Sequence, residues 1–375
     1  MMGMTMMCVM MTSCTNDDNP VDIPGGVPSV GGSNGNWAYH LSGSDCIVTA
    51  YTGSDKTTLT SLTIPLKLGG HDVTYISGSS FRFSDLTNLQ TLNFYSASHI
   101  DEMPSMTNCT NLAHINVLKL YNGIDKTDAL PGAIKTIRNE CFRGTAIGSI
   151  EMTSVTSVGS YIFRYCNSLS SVYLGKSVTI ADFAFSNISS SCVIYNAEQS
   201  RSAWSGLKIA YSPNLYVLCS DGAIGWCGGS TDSAQDYLYW MIDDSRNLTI
   251  ASVDNDLSDA NPDKQLITSH CWNDWATATS KPITSITLSQ VYALGAEEFK
   301  GLTSVTSVTL NDGLTSIGAS AFEGCTGLTS ITIPASVTSI GADAFKGCTA
   351  LATVNILGNP TIAEDAFYNV PGYNQ

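Results

Sequence analysis

The sequence predicts a solenoid of short parallel β-strands, built as two repeat arrays in tandem, and three observations lead there. A phenylalanine returns every 22 or 23 residues near the C-terminus, at Phe299, Phe322, Phe345 and Phe367. Leu, Val or Ile falls six, nine and eleven residues after Phe299, Phe322 and Phe345, and another aliphatic residue stands five before each Phe, at Leu294, Ile317, Ile340 and Ile362. The same phase recurs in the N-terminal half, where Phe83 precedes Leu89, Leu92 and Phe94, and Phe163 precedes Leu169, Val172 and Leu174. Met106 takes the Phe position before Leu112, Ile115 and Val117. A fixed period of this length marks a repeat architecture, in which each unit is one coil.

Each coil is read from its spacing. Residues two apart, such as Ile331 and Ile333, point to one side of a strand, so a coil offers one short strand with a buried face. The Phe and the remaining aliphatic side chains fill the interior behind it. One coil cannot bury that face alone, and stability must come from stacking on its neighbours.

The chain is taken in order. Residues 1–13, "MMGMTMMCVMMTS", form a Met-rich apolar run ending in small residues before Cys14. This resembles a bacterial lipoprotein signal, with Cys14 as the lipidated residue, although Met11 stands where Leu is usual and no basic segment precedes the run. A start codon assigned too far downstream would account for both departures. The following "TNDDNP" resembles the acidic signal that sends Bacteroidetes-type lipoproteins to the outer face of the outer membrane. Residues 14–35, rich in Gly, Pro, Ser and Asn, read as a flexible tether. No other segment has the 18 apolar residues that a membrane span needs.

The first array is expected over 36–212. It opens on alternating strand patterns, and its end is closed by a short helix presenting Ala197, Ala203, Trp204 and Leu207 on one face. Residues 213–226 read as a junction. The second array is expected over 227–375, with an N-terminal hairpin cap around "WMIDDSRNLTI", after which coils resume at Ile286 and Leu288.

Composition bounds the function. A hydrophobic share of 43% suffices for a long core, and 32 acidic against 17 basic residues leave a net charge of -15, which opposes nucleic acid and anionic membrane surfaces. Of twelve cysteines, Cys109, Cys166, Cys325 and Cys348 stand three residues after the Phe or Met position and read as a buried ladder of small side chains. Cys46, Cys192, Cys219, Cys227 and Cys271 lie outside it, and a disulfide among them is left open. No zinc-type spacing is present, and no metal or cofactor is expected.

Candidate functional residues follow from the same geometry. The residue between the two buried strand positions points outward, giving Thr63, Asn93, Asn116, Glu151, Tyr173, Thr287, Thr309, Thr332 and Asn355. Asn93, Asn116, Tyr173, Thr309, Thr332 and Asn355 are the ligand-binding candidates of this face, which would read a ligand by hydrogen bonds and shape more than by charge. The bland alternative is that Thr and Asn ladders simply suit an exposed parallel sheet.

Trp204, Trp226, Trp240, Trp272 and Trp275 cluster between the arrays, where exposed rings would stack on sugars and buried ones would seal the array ends. Asp254, Asp256, Asp259 and Asp263 share one loop but lack the Gly and Glu of a calcium-binding EF-hand. The five His residues are scattered, His270 beside Cys271 is a neighbour in sequence only, and no nucleophile elbow, phosphate loop or HExxH motif occurs, so no enzyme is expected.

Phe, then Gly-Cys, Leu, "TSITIP" and "VTSIG" before the next Phe resembles the BspA-like leucine-rich-repeat surface proteins, as do "YTGSDKTTL" and "WMIDDSRNLTI" at the two array starts. The resemblance covers about residues 36–375 and departs at Phe142 and 118–135, an irregular coil. It implies a leucine-rich-repeat solenoid with a curved sheet and a turn-rich convex side, displayed on bacterial surfaces or secreted, and the lipoprotein-type start at Cys14 makes an outer-membrane lipoprotein the expectation. It implies adhesion through binding of a host extracellular-matrix or other cell-surface protein, by a monomer reaching the membrane only through its lipid. The alternative is a glycan-binding accessory lipoprotein using the Trp-rich junction; a third is a structural surface-layer component. No catalytic or binding residues come with the resemblance.

Overall fold

The computed structural model describes residues 12–13, 36–77, 83–120, 123–188, 191–205, 207, 215–227, 238–252 and 271–373. Cys14, His270 and the four loop aspartates fall outside them. The chain packs as two units, residues 1–192 and 193–375.

The first unit begins with a small sheet. Trp37–Ser42 and Asp45–Tyr51 form an antiparallel hairpin around Gly43, whose φ of 67° suits a residue without Cβ. His71–Ile76 joins Asp45–Tyr51 in parallel. Coils follow. Ser61–Thr63, Thr91–Tyr95 and His114–Leu118 stack in parallel with Leu62, Leu92 and Ile115 in register, and further along Ser149–Met152 stacks on Ser171–Leu174 with Ile150 beside Val172. Between them the irregular coil turns back, and Ile124–Lys126 runs antiparallel to His114–Leu118.

Each coil carries a second strand that spacing alone did not separate. Thr136–Ile137, Ser157–Val158 and Thr179–Ile180 form their own parallel ladder, so the aliphatic residue five before the Phe is a strand position as well. Between the two ladders the Phe rings stack: Phe142 on Phe163 at 5.2 Å between centroids, and Phe163 on Phe185 at 6.2 Å.

After the strand Cys192–Asn196 and a short 3-10 turn at Arg201–Ala203, the second unit has four antiparallel strands, Leu215–Cys219, Gly222–Trp226, Leu238–Asp243 and Asn247–Ser252. Asn247–Ser252 pairs in parallel with Ser285–Ser289, and Ser307–Thr309, Ser330–Ile333 and Thr353–Ile356 follow. The short ladder runs through Ala293–Leu294, Ser316–Ile317, Ser339–Ile340 and Thr361–Ile362. Phe299, Phe322, Phe345 and Phe367 stack at 5.3, 5.2 and 5.0 Å, with Tyr373 closing the far end at 4.1 Å. At the near end Trp272, on the helix Cys271–Thr279, lies 6.0 Å from Phe299.

Two expectations are corrected here. The junction expected over 213–226 holds paired strands instead, Leu215–Cys219 and Gly222–Trp226, with Trp204 packed edge-on against Trp226 at 6.5 Å and Arg201 holding Asp221. Trp204, Trp226, Trp240, Trp272 and Trp275 are all buried, so they offer no exposed rings for sugars.

The turn around each Phe explains the composition there. Apart from Asp85 after Phe83, the residue two after the Phe or its Met equivalent, from Asn108 and Gly144 through Asn187, Gly301, Gly324 and Gly347 to Asn369, has a positive φ, and Tyr165 does too. Gly and Asn are the residues that adopt this conformation at least cost. The thiols at the next position are structural: Cys166 Sγ donates to the Phe142 carbonyl at 2.9 Å, Cys325 to that of Phe299 and Cys348 to that of Phe322, both at 3.1 Å. Among the described residues Cys192 and Cys219 are free thiols, so no disulfide joins that pair.

Candidate interaction surface

The residues between the buried strand positions do not form one uniform surface. In the second unit Thr287, Thr309, Thr332 and Asn355 are exposed, alternating with the buried Ile286, Leu288, Val308, Ile331 and Ile333. In the first unit Asn93 and Asn116 depart from expectation, being only 8% exposed. Asn116 Nδ2 donates to Asn93 Oδ1 at 3.1 Å, and Asn93 Nδ2 donates to Ser61 Oγ at 3.0 Å. This side-chain ladder satisfies groups that burial would otherwise leave costly, and it removes both residues from the open face.

The irregular coil creates relief where the other coils are flat. Thr127 and Asp128 line one wall of a cleft of about 280 Å3, with Ser149, Ile150, Glu151, Thr153 and Tyr173 of the neighbouring coils on the other. Asp128 has a φ of 51°, and its carbonyl accepts from the Glu151 N–H at 2.7 Å, which fixes the wall to the sheet. Glu151 and Tyr173 stand in register on neighbouring strands, and Tyr173 is 41% exposed.

Polar groups in the cleft are held by each other. Lys126 donates to Glu151, as does the Thr153 hydroxyl at 3.0 Å, and the Lys126 hydrogen bond holds the Glu151 carboxyl below its ordinary pKa. At the rim His114 Nδ1 lies 3.0 Å from Asp128 Oδ1. The arrangement presents two carboxylates, an ammonium, hydroxyls and one tyrosine ring on a rigid sheet. That set can recognise a polar partner by shape and hydrogen bonds. Asp128, His114 and Lys126 were not among the sequence candidates; the signal for Lys126 and Asp128 is the break in periodicity over 118–135, and His114, on the regular strand His114–Leu118, has none.

A wider groove of about 490 Å3 in the second unit is lined by Asn273, Thr277, Pro282, Lys300 and Thr303 among others. Its cation is already engaged, with Lys300 Nζ 2.7 Å from Glu297 and 3.1 Å from Glu323. Among the described residues no group of three or more His, Cys, Asp or Glu side chains could hold a metal ion. Among them, no helix is long and apolar enough to cross a membrane.

Comparison with known proteins agrees with the coil geometry. The model of the BspA type leucine rich repeat region matches in six copies, over residues 122–202 and 276–373. No curated protein matches. Similar solved structures include a leucine rich cell surface protein from Faecalibacterium prausnitzii, 20% identical, with 91% of this chain and 93% of that one covered and a TM-score of 0.38. A leucine-rich repeat protein from Bacteroides ovatus is 18% identical, covering 90% and 91%, with a TM-score of 0.32. The pneumococcal vaccine antigen PcpA is 14% identical, covering 87% and 81%, with a TM-score of 0.36.

Proposed function

We propose that the chain, whose residues 122–202 and 276–373 match the BspA type leucine rich repeat region, is a non-enzymatic cell-surface protein that binds another protein through the sheet face of its first unit. One observation carries the reading. On coils otherwise lined with Ser, Thr and Asn, Tyr173, Glu151 and Asp128 line a single cleft, with Lys126 paired to Glu151 and His114 to Asp128. Interfaces are distinguished by aromatic anchors and precisely placed polar groups more than by bulk hydrophobicity.

The proposed anchor is a lipid on Cys14, which would place the solenoid on the outer face of the outer membrane as a monomer. The proposed partner is an extracellular-matrix or other cell-surface protein. A glycan reading based on the tryptophans loses its support, since all five are buried.

The test is a binding screen of the purified chain against extracellular-matrix proteins, mucins and polysaccharides. Saturable binding to a protein is expected. Tyr173→Ala and Glu151→Lys should each weaken it at least about tenfold, or about 1.4 kcal/mol, while Thr332→Ala in the second unit leaves it unchanged. Binding to polysaccharide alone, or protein binding indifferent to Tyr173, would overturn the reading.

A further inference from the structure

The turns of the first unit carry a feature that the fold does not require. Nine positions lie two residues after a repeat Phe or its Met equivalent, and eight of them, all but Asp85, have positive φ. Seven hold Gly or Asn; the eighth is Tyr165, at 63° and 48% exposed. Two residues before the Phe, where Glu140, Glu297, Ser320 and Asp343 also adopt positive φ, the first unit places Tyr161 at 58° and Phe183 at 63°. Left-handed backbone is unfavourable for such side chains by roughly 1–2 kcal/mol each, and strain of this kind concentrates at functional sites. Coils of the second unit build the same turn from Gly, Ser, Asp and Glu.

The three aromatics converge on two arginines at equivalent positions of successive coils. Arg164 lies over Tyr161 at 5.4 Å and over Tyr165 at 4.8 Å, and Arg143 lies over Tyr165 at 5.6 Å. Tyr161 in turn stacks on Phe183 at 5.6 Å with 4° between the planes. The ring faces are therefore taken. The two arginine side chains stay about one third exposed, at 33% and 32%, beside the half-exposed Tyr165.

The two guanidiniums already hold one carboxylate. Arg143 Nη1 donates to Glu140 Oε2 at 3.0 Å, and Arg164 Nη1 lies 3.8 Å from Glu140 Oε1. Arg164 Nη2 donates to the Tyr165 hydroxyl at 3.0 Å. Arg143 Nη2 makes no hydrogen bond among the described residues. Planar, preorganised guanidinium pairs are suited to forked recognition of a carboxylate.

We propose that Arg143 and Arg164, clamped by Tyr161 and Tyr165, form a second interaction site that takes a carboxylate side chain of an acidic polypeptide segment, with Glu140 as the internal carboxylate it displaces. The site lies on the turns, so it is independent of the sheet-face cleft. An acidic polypeptide is favoured over an acidic sugar because sugar rings stack on open aromatic faces, and here guanidiniums and Phe183 occupy them. The local pair supplies orientation and specificity within a chain that is acidic overall.

The test uses the full chain and fluorescence polarisation with a labelled hexaglutamate peptide, with hexaglutamine and a trigalacturonate as comparators. Saturable binding to hexaglutamate alone is expected, weakened at least tenfold by Arg164→Ala. Glu140→Gln should tighten it severalfold by removing the internal competitor. Tyr165→Gly, the residue of most other coils, is the decisive variant: its melting temperature should hold or rise while binding falls about tenfold. Binding unaffected by Tyr165→Gly, preference for trigalacturonate, or no saturable binding to hexaglutamate would each overturn the proposal.

Discussion

Replacing Phe345 by Ala tests the packing argument most directly. The ring is fully buried and sandwiched between Phe322 at 5.2 Å and 9° and Phe367 at 5.0 Å and 4°. Truncating a buried Phe removes its transfer free energy and leaves a cavity, together about 3–5 kcal/mol, and two stacking contacts push the loss toward the upper end. Set against a typical domain stability of about 5–15 kcal/mol, that is severe. In a stacked array the damage is local to the broken interfaces. The coil at 353–373 should therefore detach before the sheet over 215–252 opens.

Two probes separate these regions. All five tryptophans of the second unit lie at or before Trp275, so their fluorescence reports the capped end, while hydrogen exchange of Ile331–Ile333 and Thr353–Ile356 reports the coils. The coil transition should move down by about 1–2 M urea, ahead of the tryptophan transition. A loss under about 1 kcal/mol, or one that both probes share equally, would refute nearest-neighbour stacking on the Phe column.

Two further outcomes follow from burial. Desolvation pushes the Cys325 thiol up to about 12 and Cys348 to about 11, from a usual value near 9, so both should resist alkylation by iodoacetamide at pH 8 until unfolding, as read by peptide mass spectrometry; rapid native alkylation would contradict their place in the core. Because folding raises these pKa values, their contribution to stability is complete below about pH 9 and is lost as pH climbs through 11 to 12; chemical denaturation across that range should show it, and a flat profile would not fit. Asn93→Ala leaves Asn116 Nδ2 without its acceptor in a buried site, for an expected cost of about 1–3 kcal/mol in urea denaturation; no measurable change would show that solvent reaches the ladder.

Much of the site was not legible beforehand. Tyr173, Thr309, Thr332 and Asn355 could be placed on the outer row because strand alternation is local, and their exposure agrees with it. Asn93 and Asn116 share that pattern yet are closed off, since burial depends on what neighbouring coils lay over a strand. Lys126 and Asp128 carried no motif, and they matter because an interrupted coil folds back beside its neighbours. The Arg143, Arg164 and Tyr165 cluster was visible only as a Tyr at a position that holds Gly or Asn in every other coil but that of Phe83, which needs the left-handed turn to be known first.

By itself the sequence determined the period, the two arrays and the identity of the core, because every coil must bury the same positions against the next and the requirement repeats in the residues. Tertiary structure alone decided the unit boundary at 192/193, the second short ladder, the burial of the tryptophans and the two surface clusters. Those depend on register between coils and on pairing across 20 or more residues, as between Arg143 and Tyr165 or Glu151 and Lys126, and no single coil encodes them.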